Sequence, residues 1–263
     1  MAHPDVTEHI KRQNDAGRLA LAVYLLHGYP TLGTSQEAFE VLRRYNPIFE
    51  CGLPVATLRS PFTSPTIKRV HQVAAESKLT DEGLLAFYAE YRPNMLVHTE
   101  DEDRQGTQAL LAQLTGAVDS VFTDDPRLTA LLEPAPQPAP RGLPRLVQYV
   151  SPLSETPGQD FAVYSGDMLV YVGLADRMGG DLLPLKQVQA AVDEVAASAP
   201  HAKLLCGFGV RSAADVAYVR RLNGVHGVAI GTEAMDRLGE GVSNFEDWLS
   251  EISQELAYQP VQG

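Results

Sequence analysis

Cysteine is nearly missing from this chain: Cys51 and Cys206 are the only two in 263 residues. Two thiols exclude a disulfide framework. Both stand beside glycine at predicted strand ends, where reduced thiols of a cytoplasmic protein are the expectation. No apolar run reaches membrane-spanning length, and residues 1–15 are too polar for a secretory signal. Basic residues are scarce, 21 Lys and Arg against 33 Asp and Glu. The net charge of −12 argues against nucleic acid or an anionic membrane as partner. A cofactor motif is lacking as well. Gly207-Phe208-Gly209 is too short and misplaced for a dinucleotide fingerprint, and no Cys/His spacing suits zinc.

Hydrophobic residues make up 44% of the chain, enough to bury a large core. Short apolar runs alternate with helix-like stretches from end to end. The predicted strands are Leu19–Leu25, Pro47–Glu50, Asn94–His98, Ser120–Thr123, Leu146–Val150, Met168–Val172, Lys203–Gly207 and Gly227–Gly231. Eight strands, each followed by a helical segment, predict a single (β/α)8 TIM barrel over residues 1–263, with an added N-terminal helix. The helix signals are clearest late in the chain. Leu185, Val188, Ala191, Val192 and Val195 form one apolar stripe, and Ser212 caps the next helix. The proline-rich stretch Glu133–Pro140 reads as a stiff loop on the face where strands begin, since a closed barrel needs strands from both sides of it.

Glu50 is the residue that points most directly to chemistry. A carboxylate at the end of a barrel strand faces the mouth where such folds keep their active sites. Gly52 and Pro54 then turn the chain abruptly, which suits fixing a side chain. The alternative is a solvated glutamate paired with Arg43 or Arg44. The acidic run Glu100-Asp101-Glu102-Asp103 admits metal ligation, but a solvated loop entering a helix explains it more simply.

Three stretches together resemble the tryptophan synthase alpha chain family over essentially the whole length. They are Tyr24-Leu25-Leu26-His27-Gly28-Tyr29-Pro30-Thr31; Phe49-Glu50-Cys51-Gly52-Leu53-Pro54 with Pro65-Thr66-Ile67; and Gly207-Phe208-Gly209-Val210 with Gly231-Thr232. The resemblance implies a lyase of biosynthesis that cleaves indole-3-glycerol phosphate by a retro-aldol step, with Glu50 as the proton shuttle. It also implies a possible partner, a beta-type pyridoxal-phosphate subunit. A noncatalytic alpha-like chain that binds and regulates such a subunit is the alternative function.

The chain departs from the family after Glu50. The family places a second aspartate there for the indole nitrogen, whereas residues 54–65 contain no carboxylate and Thr63 takes that place. A threonine offers a hydrogen bond but no anion at neutral pH. Asp124 and Asp125 are the remaining candidates to replace the acid, though either also reads as a helix cap. Gly207, Gly209, Gly231 and Thr232 fit a phosphate cradle, and Arg211 adds a charge or else pairs with Asp215. If Glu233 or Asp176 faced that cradle, repulsion would cost about 4 kcal/mol at ~4 Å and an effective dielectric near ~20. His98 stands where the family tends to have tyrosine, and either titrates or caps the rim. Tyr149 and Tyr171 offer hydroxyls or aromatic walls, while Tyr24 reads as a packing residue.

Overall fold

The computed structural model describes residues 5–55, 58, 63–77, 79–98, 118–123, 129, 145–154 and 168–257. Eight parallel strands pair in chain order and close into a barrel: β1 (Ala20–Leu25), β2 (Ile48–Gly52), β3 (Met95–His98), β4 (Ser120–Thr123), β5 (Arg145–Val150), β6 (Leu169–Gly173), β7 (Lys203–Gly207) and β8 (Gly227–Ile230). Each lies on its predicted run to within two residues. One correction bears on function. β2 continues through Cys51 and Gly52, so Glu50 sits at mid-strand rather than at its end. The backbone pairing of Glu50 with Met95 and Cys51 with Leu96 holds those extra residues in the sheet.

The described helices are α1 (Val6–Asp15), α2 (Leu32–Tyr45), α3 (Pro65–Glu76), α4 (Asp81–Tyr91), α5 (Leu185–Ser198), α6 (Ala213–Val219), α7 (Thr232–Gly239) and α8 (Val242–Glu255). Several have starts written in local sequence. Thr31, Ser64 and Thr80 each accept a backbone N–H of the first turn of α2, α3 and α4, and Pro65 sits where a missing N–H costs nothing. The predicted stripe of α5 is buried through Val188, Ala191, Val192 and Val195. No described helix is long and apolar enough to cross a membrane.

Side chains alternate across each strand, which sorts the core into two layers. Val23, Phe49, Cys51, Leu96, Val170, Val172, Leu204, Cys206, Val228 and Ile230 face the helices. Ala20, Ala22, Ile48, Met95, Leu169, Tyr171, Leu205 and Ala229 face inward. Val6 and Ile10 of α1 join this inner cluster and seal the floor. An ion-pair group fastens the plug, with Arg145 held by Asp5 and Asp119 while Asp119 also accepts the Val6 N–H. Chemistry is thereby confined to the carboxyl end of the strands.

Three inward tyrosines share one packing device. Tyr24 is in register with Glu50, Tyr149 with Tyr171, and Tyr171 with Leu205. Two residues beyond each partner stands a glycine: Gly52, Gly173 and Gly207. A Cβ at Gly52 or Gly173 would strike the hydroxyl of Tyr24 or Tyr149, and at Gly207 it would press on Tyr171 Cε1 at 3.1 Å. Each ring leans toward the carboxyl end over the next strand, and a bare backbone there makes room for it. The strands thus deliver hydroxyl groups to the mouth.

Candidate active site

The mouth holds a cavity of about 760 Å³ including its opening, lined by residues of β1, β2, β3, β4, β6 and β8, of α3, and of the β6–α5, β7–α6 and β8–α7 loops. That size suits a small organic ligand. Its walls are mainly apolar, with Ile67, Val97, Phe122, Met178 and Phe208 contributing. Phe208 is one of three described non-glycine residues with positive φ, at 62°. Its ring packs against Tyr149 at 5.3 Å between centroids. Sequence reading missed Phe208, because a Gly-Phe-Gly triplet signals a turn and not the direction of its ring.

Glu50 lies in this cavity and is only 5% exposed. Tyr171 donates its hydroxyl hydrogen to Glu50 Oε1. Burial raises the carboxyl to about 7, against the opposing pull of that hydrogen bond. Glu50 is therefore divided between acid and carboxylate near neutral pH, the condition for moving protons in both directions. The alternative pairing with Arg43 or Arg44 does not occur. Arg43 bonds Glu40 at 3.2 Å and Arg44 bonds Glu246 at 3.0 Å.

Beside Glu50 stand two residues from other elements. Tyr24 Oη lies 2.9 Å from His71 Nε2, and His71 Nδ1 accepts the Val55 N–H at 3.4 Å. Both side chains line the cavity and both are buried. His71 lay outside the sequence-based expectations. Ile67, Val70, His71 and Ala74 make the buried stripe of α3, so its spacing reads as core.

Of the remaining predicted residues, Gly209, Arg211, Gly231 and Thr232 line the same cavity, and Gly207 supports Tyr171 from the next strand. The two loop–helix junctions differ in what they offer. At α6 the backbone N–H groups of Arg211 and Ser212 both donate to Asp215 Oδ2, at 2.8 and 2.9 Å. That helix end is capped by its own carboxylate, so Arg211 contributes its guanidinium side, which sits 3.5 Å from Asp181. At α7, Gly231 is the N-cap and no side chain caps the first turn. This end opens on the cavity at Gly231 and Thr232, with the Glu233 carboxylate in the same first turn. The two carboxylates that threatened an anion are turned to other partners. Glu233 bonds Arg237 at 2.7 Å, Asp176 lies 3.6 Å from Arg177, and neither lines the cavity.

Thr63 is buried but does not line the cavity, and its hydroxyl has no hydrogen-bond partner among the described residues. Its neighbour Ser64 is the connected one. Ser64 Oγ caps α3 and lies 3.3 Å from Thr232 Oγ1, tying the loops after β2 and β8 together. His98 is the last residue of β3, in register with Thr123, and its side chain lies outside the described residues. So do Glu100–Asp103, Asp124, Asp125 and the proline-rich stretch. Tyr149 is 38% exposed and forms part of the rim rather than the core. No cluster of three or more metal-ligating side chains occurs among the described residues.

Neither the models of known protein families nor the curated protein sequences contain a match to this chain. Solved structures do match. A chain of Mycobacterium tuberculosis tryptophan synthase superimposes with a TM-score of 0.76 at 21% identity, covering 95% of this chain and 97% of that one. The tryptophan synthase alpha chain of Legionella pneumophila gives 0.72 at 16% identity, covering 95% and 96%. A protein from Aquifex aeolicus gives 0.74 at 17% identity, covering 96% and 99%. The likeness to tryptophan synthase alpha chains is thus end to end in fold and distant in sequence.

Proposed function

We propose that this chain is a lyase that breaks a carbon–carbon bond by an aldol-type step, with Glu50 carrying the proton and an indole-glycerol-phosphate-like molecule as substrate. The observation that carries this reading is the Glu50 carboxyl, buried in an apolar barrel mouth, fixed by Tyr171 and poised near pH 7. The likeness of fold to tryptophan synthase alpha chains supports the choice of substrate class. In the step, the Glu50 carboxylate takes the proton of a substrate hydroxyl. The departing ring carbon has by then received the ring N–H proton, leaving a ring C=N. The O–H electrons therefore form the aldehyde C=O, the C–C pair re-forms the ring C=C, the C=N pair passes to nitrogen, and Glu50 returns its proton there. No outside oxidant or reductant is needed. The apolar walls receive the ring, while Arg211 and the open end of α7 receive the phosphate.

Indole release from indole-3-glycerol phosphate tests the proposal directly, and a chain that releases none removes it. Arg211→Ala separates binding from chemistry. Losing one charge-assisted contact should raise KM about tenfold or more, with kcat little changed. Equal KM values for the two proteins would move the phosphate elsewhere.

A second reading rests on one specific observation: among the described residues, Glu50 is the only carboxylate lining the cavity. A site with one acid in place of two also fits a noncatalytic alpha-like subunit that binds and regulates a beta-type pyridoxal-phosphate enzyme. Coelution with such a chain and a change in its turnover support that reading. Separate elution, together with indole release by this chain alone, rejects it.

A further inference from the structure

Two tyrosines approach Glu50, and they are committed differently. Tyr171 spends its hydroxyl hydrogen on Glu50 Oε1. Tyr24, whose Cα is the register partner of Glu50, meets His71 instead. The direction of that second bond follows from the other side of the imidazole. His71 Nδ1 faces the Val55 N–H, which has only a hydrogen to give, so Nδ1 is the bare nitrogen and Nε2 bears the hydrogen. Nε2–H therefore donates to Tyr24 Oη at 2.9 Å, and the hydrogen of Tyr24 remains for a partner on the cavity side. Burial also holds the Tyr24 phenol well above its ordinary range, so it stays neutral and keeps that hydrogen. Gly52 is the structural counterpart: any Cβ there would collide with the Tyr24 hydroxyl. Tyr149 has the same clearance at Gly173, so the buried histidine is what sets Tyr24 apart.

We propose that Tyr24 is a second catalytic residue of this site, donating its hydroxyl hydrogen to the substrate hydroxyl oxygen that becomes charged when Glu50 takes its proton, with His71 as its positioning residue. This rests on the lyase reading above. When Glu50 removes the hydroxyl proton, charge grows on that oxygen, and a fixed neutral donor in a dry pocket stabilises it without reorganisation. The pocket so described has one base and one donor on adjacent strands. It handles a hydroxyl-bearing side chain without an anion at the ring nitrogen, which is where Thr63 leaves the cavity unserved. A substrate must therefore carry its hydroxyl beside the bond that breaks.

Tyr24→Phe removes one oxygen and leaves the ring. Loss of a single such donor should lower kcat by about 10²- to 10³-fold while KM stays nearly constant. His71→Leu should cost about tenfold through misorientation of the phenol, and His71→Gln, which restores a donor at that reach, should recover most of it. A merely structural histidine would show no such rescue. Nitrogen-15 imidazole spectra of the wild-type chain supply a check that needs no turnover: His71 should be the neutral Nε2–H form at pH 7. An Nδ1–H form overturns the assignment, as does full kcat in Tyr24→Phe when Glu50→Gln is inactive. If the wild-type chain itself releases no indole, the lyase reading falls and takes this assignment with it.

Discussion

Glu50→Gln should lose about 10³-fold in kcat and at the same time become more stable at alkaline pH. Both results follow from one buried carboxyl. Gln keeps the shape and can still accept the Tyr171 hydrogen bond, but it cannot take up or release the proton. In the wild-type chain the step begins with the carboxylate, so kcat/KM should rise with pH through about 7 and then level. The sign for stability is opposite. Burial raises the folded-state value from 4.5 to about 7, so between those pH values the folded chain holds a proton that the unfolded chain has lost. Stability contributed by the protonated form is complete below about pH 4.5 and is lost as pH rises through 7. The accumulated cost above pH 7 is about 3 kcal/mol. Denaturant midpoints should therefore separate wild type and Glu50→Gln at pH 8 and nearly coincide at pH 4.5. A difference that does not vary with pH would mean that Glu50 is not held in its acid form by burial.

That trade of stability for a poised acid is the kind of local conflict that a sequence can reveal only in part. A glutamate inside an apolar run stands out by its chemistry, and Glu50 is visible for that reason. The strands are visible because parallel barrel strands are covered on both faces and read as unbroken apolar runs. The length of β2 was harder to judge. Gly52 looks like a turn residue, yet its bareness serves Tyr24 within the sheet. His71 was hidden by periodicity, since its position on α3 is a core position and only the fold brings it to Tyr24, 47 residues earlier. The same limit applies to Arg211. The Ser212 cap was legible, whereas the capture of the Arg211 backbone N–H by Asp215 depends on loop geometry. Tyrosine–glycine pairs also become a rule only when the strand register is known.

The largest stability loss from a single added methyl should come at the seam where the barrel closes. Gly227 begins β8, with Ala20 of β1 on one side and Leu205 of β7 on the other. A Cβ at Gly227 would overlap Leu205 Cδ2 and lie 2.6 Å from the Ala20 carbonyl oxygen. The leucine belongs to the inner cluster and the oxygen belongs to backbone, so neither can withdraw without disturbing the floor that α1 seals. Gly227→Ala should cost about 3 kcal/mol, at the upper end for overpacking. Gly33→Ala is the matched control. It lies in α2 with nothing within 4 Å of the added atom, and should stabilise the chain by roughly 0.5–1 kcal/mol through helix propensity. Urea titration of both variants gives the comparison. Because the seam lies below the mouth, the folded fraction of Gly227→Ala should retain the KM of the parent. A Gly227→Ala protein as stable as the parent would show that β1 and β8 are not held at this spacing, and the closed ring that carries Glu50 and Tyr24 side by side would have to be redrawn.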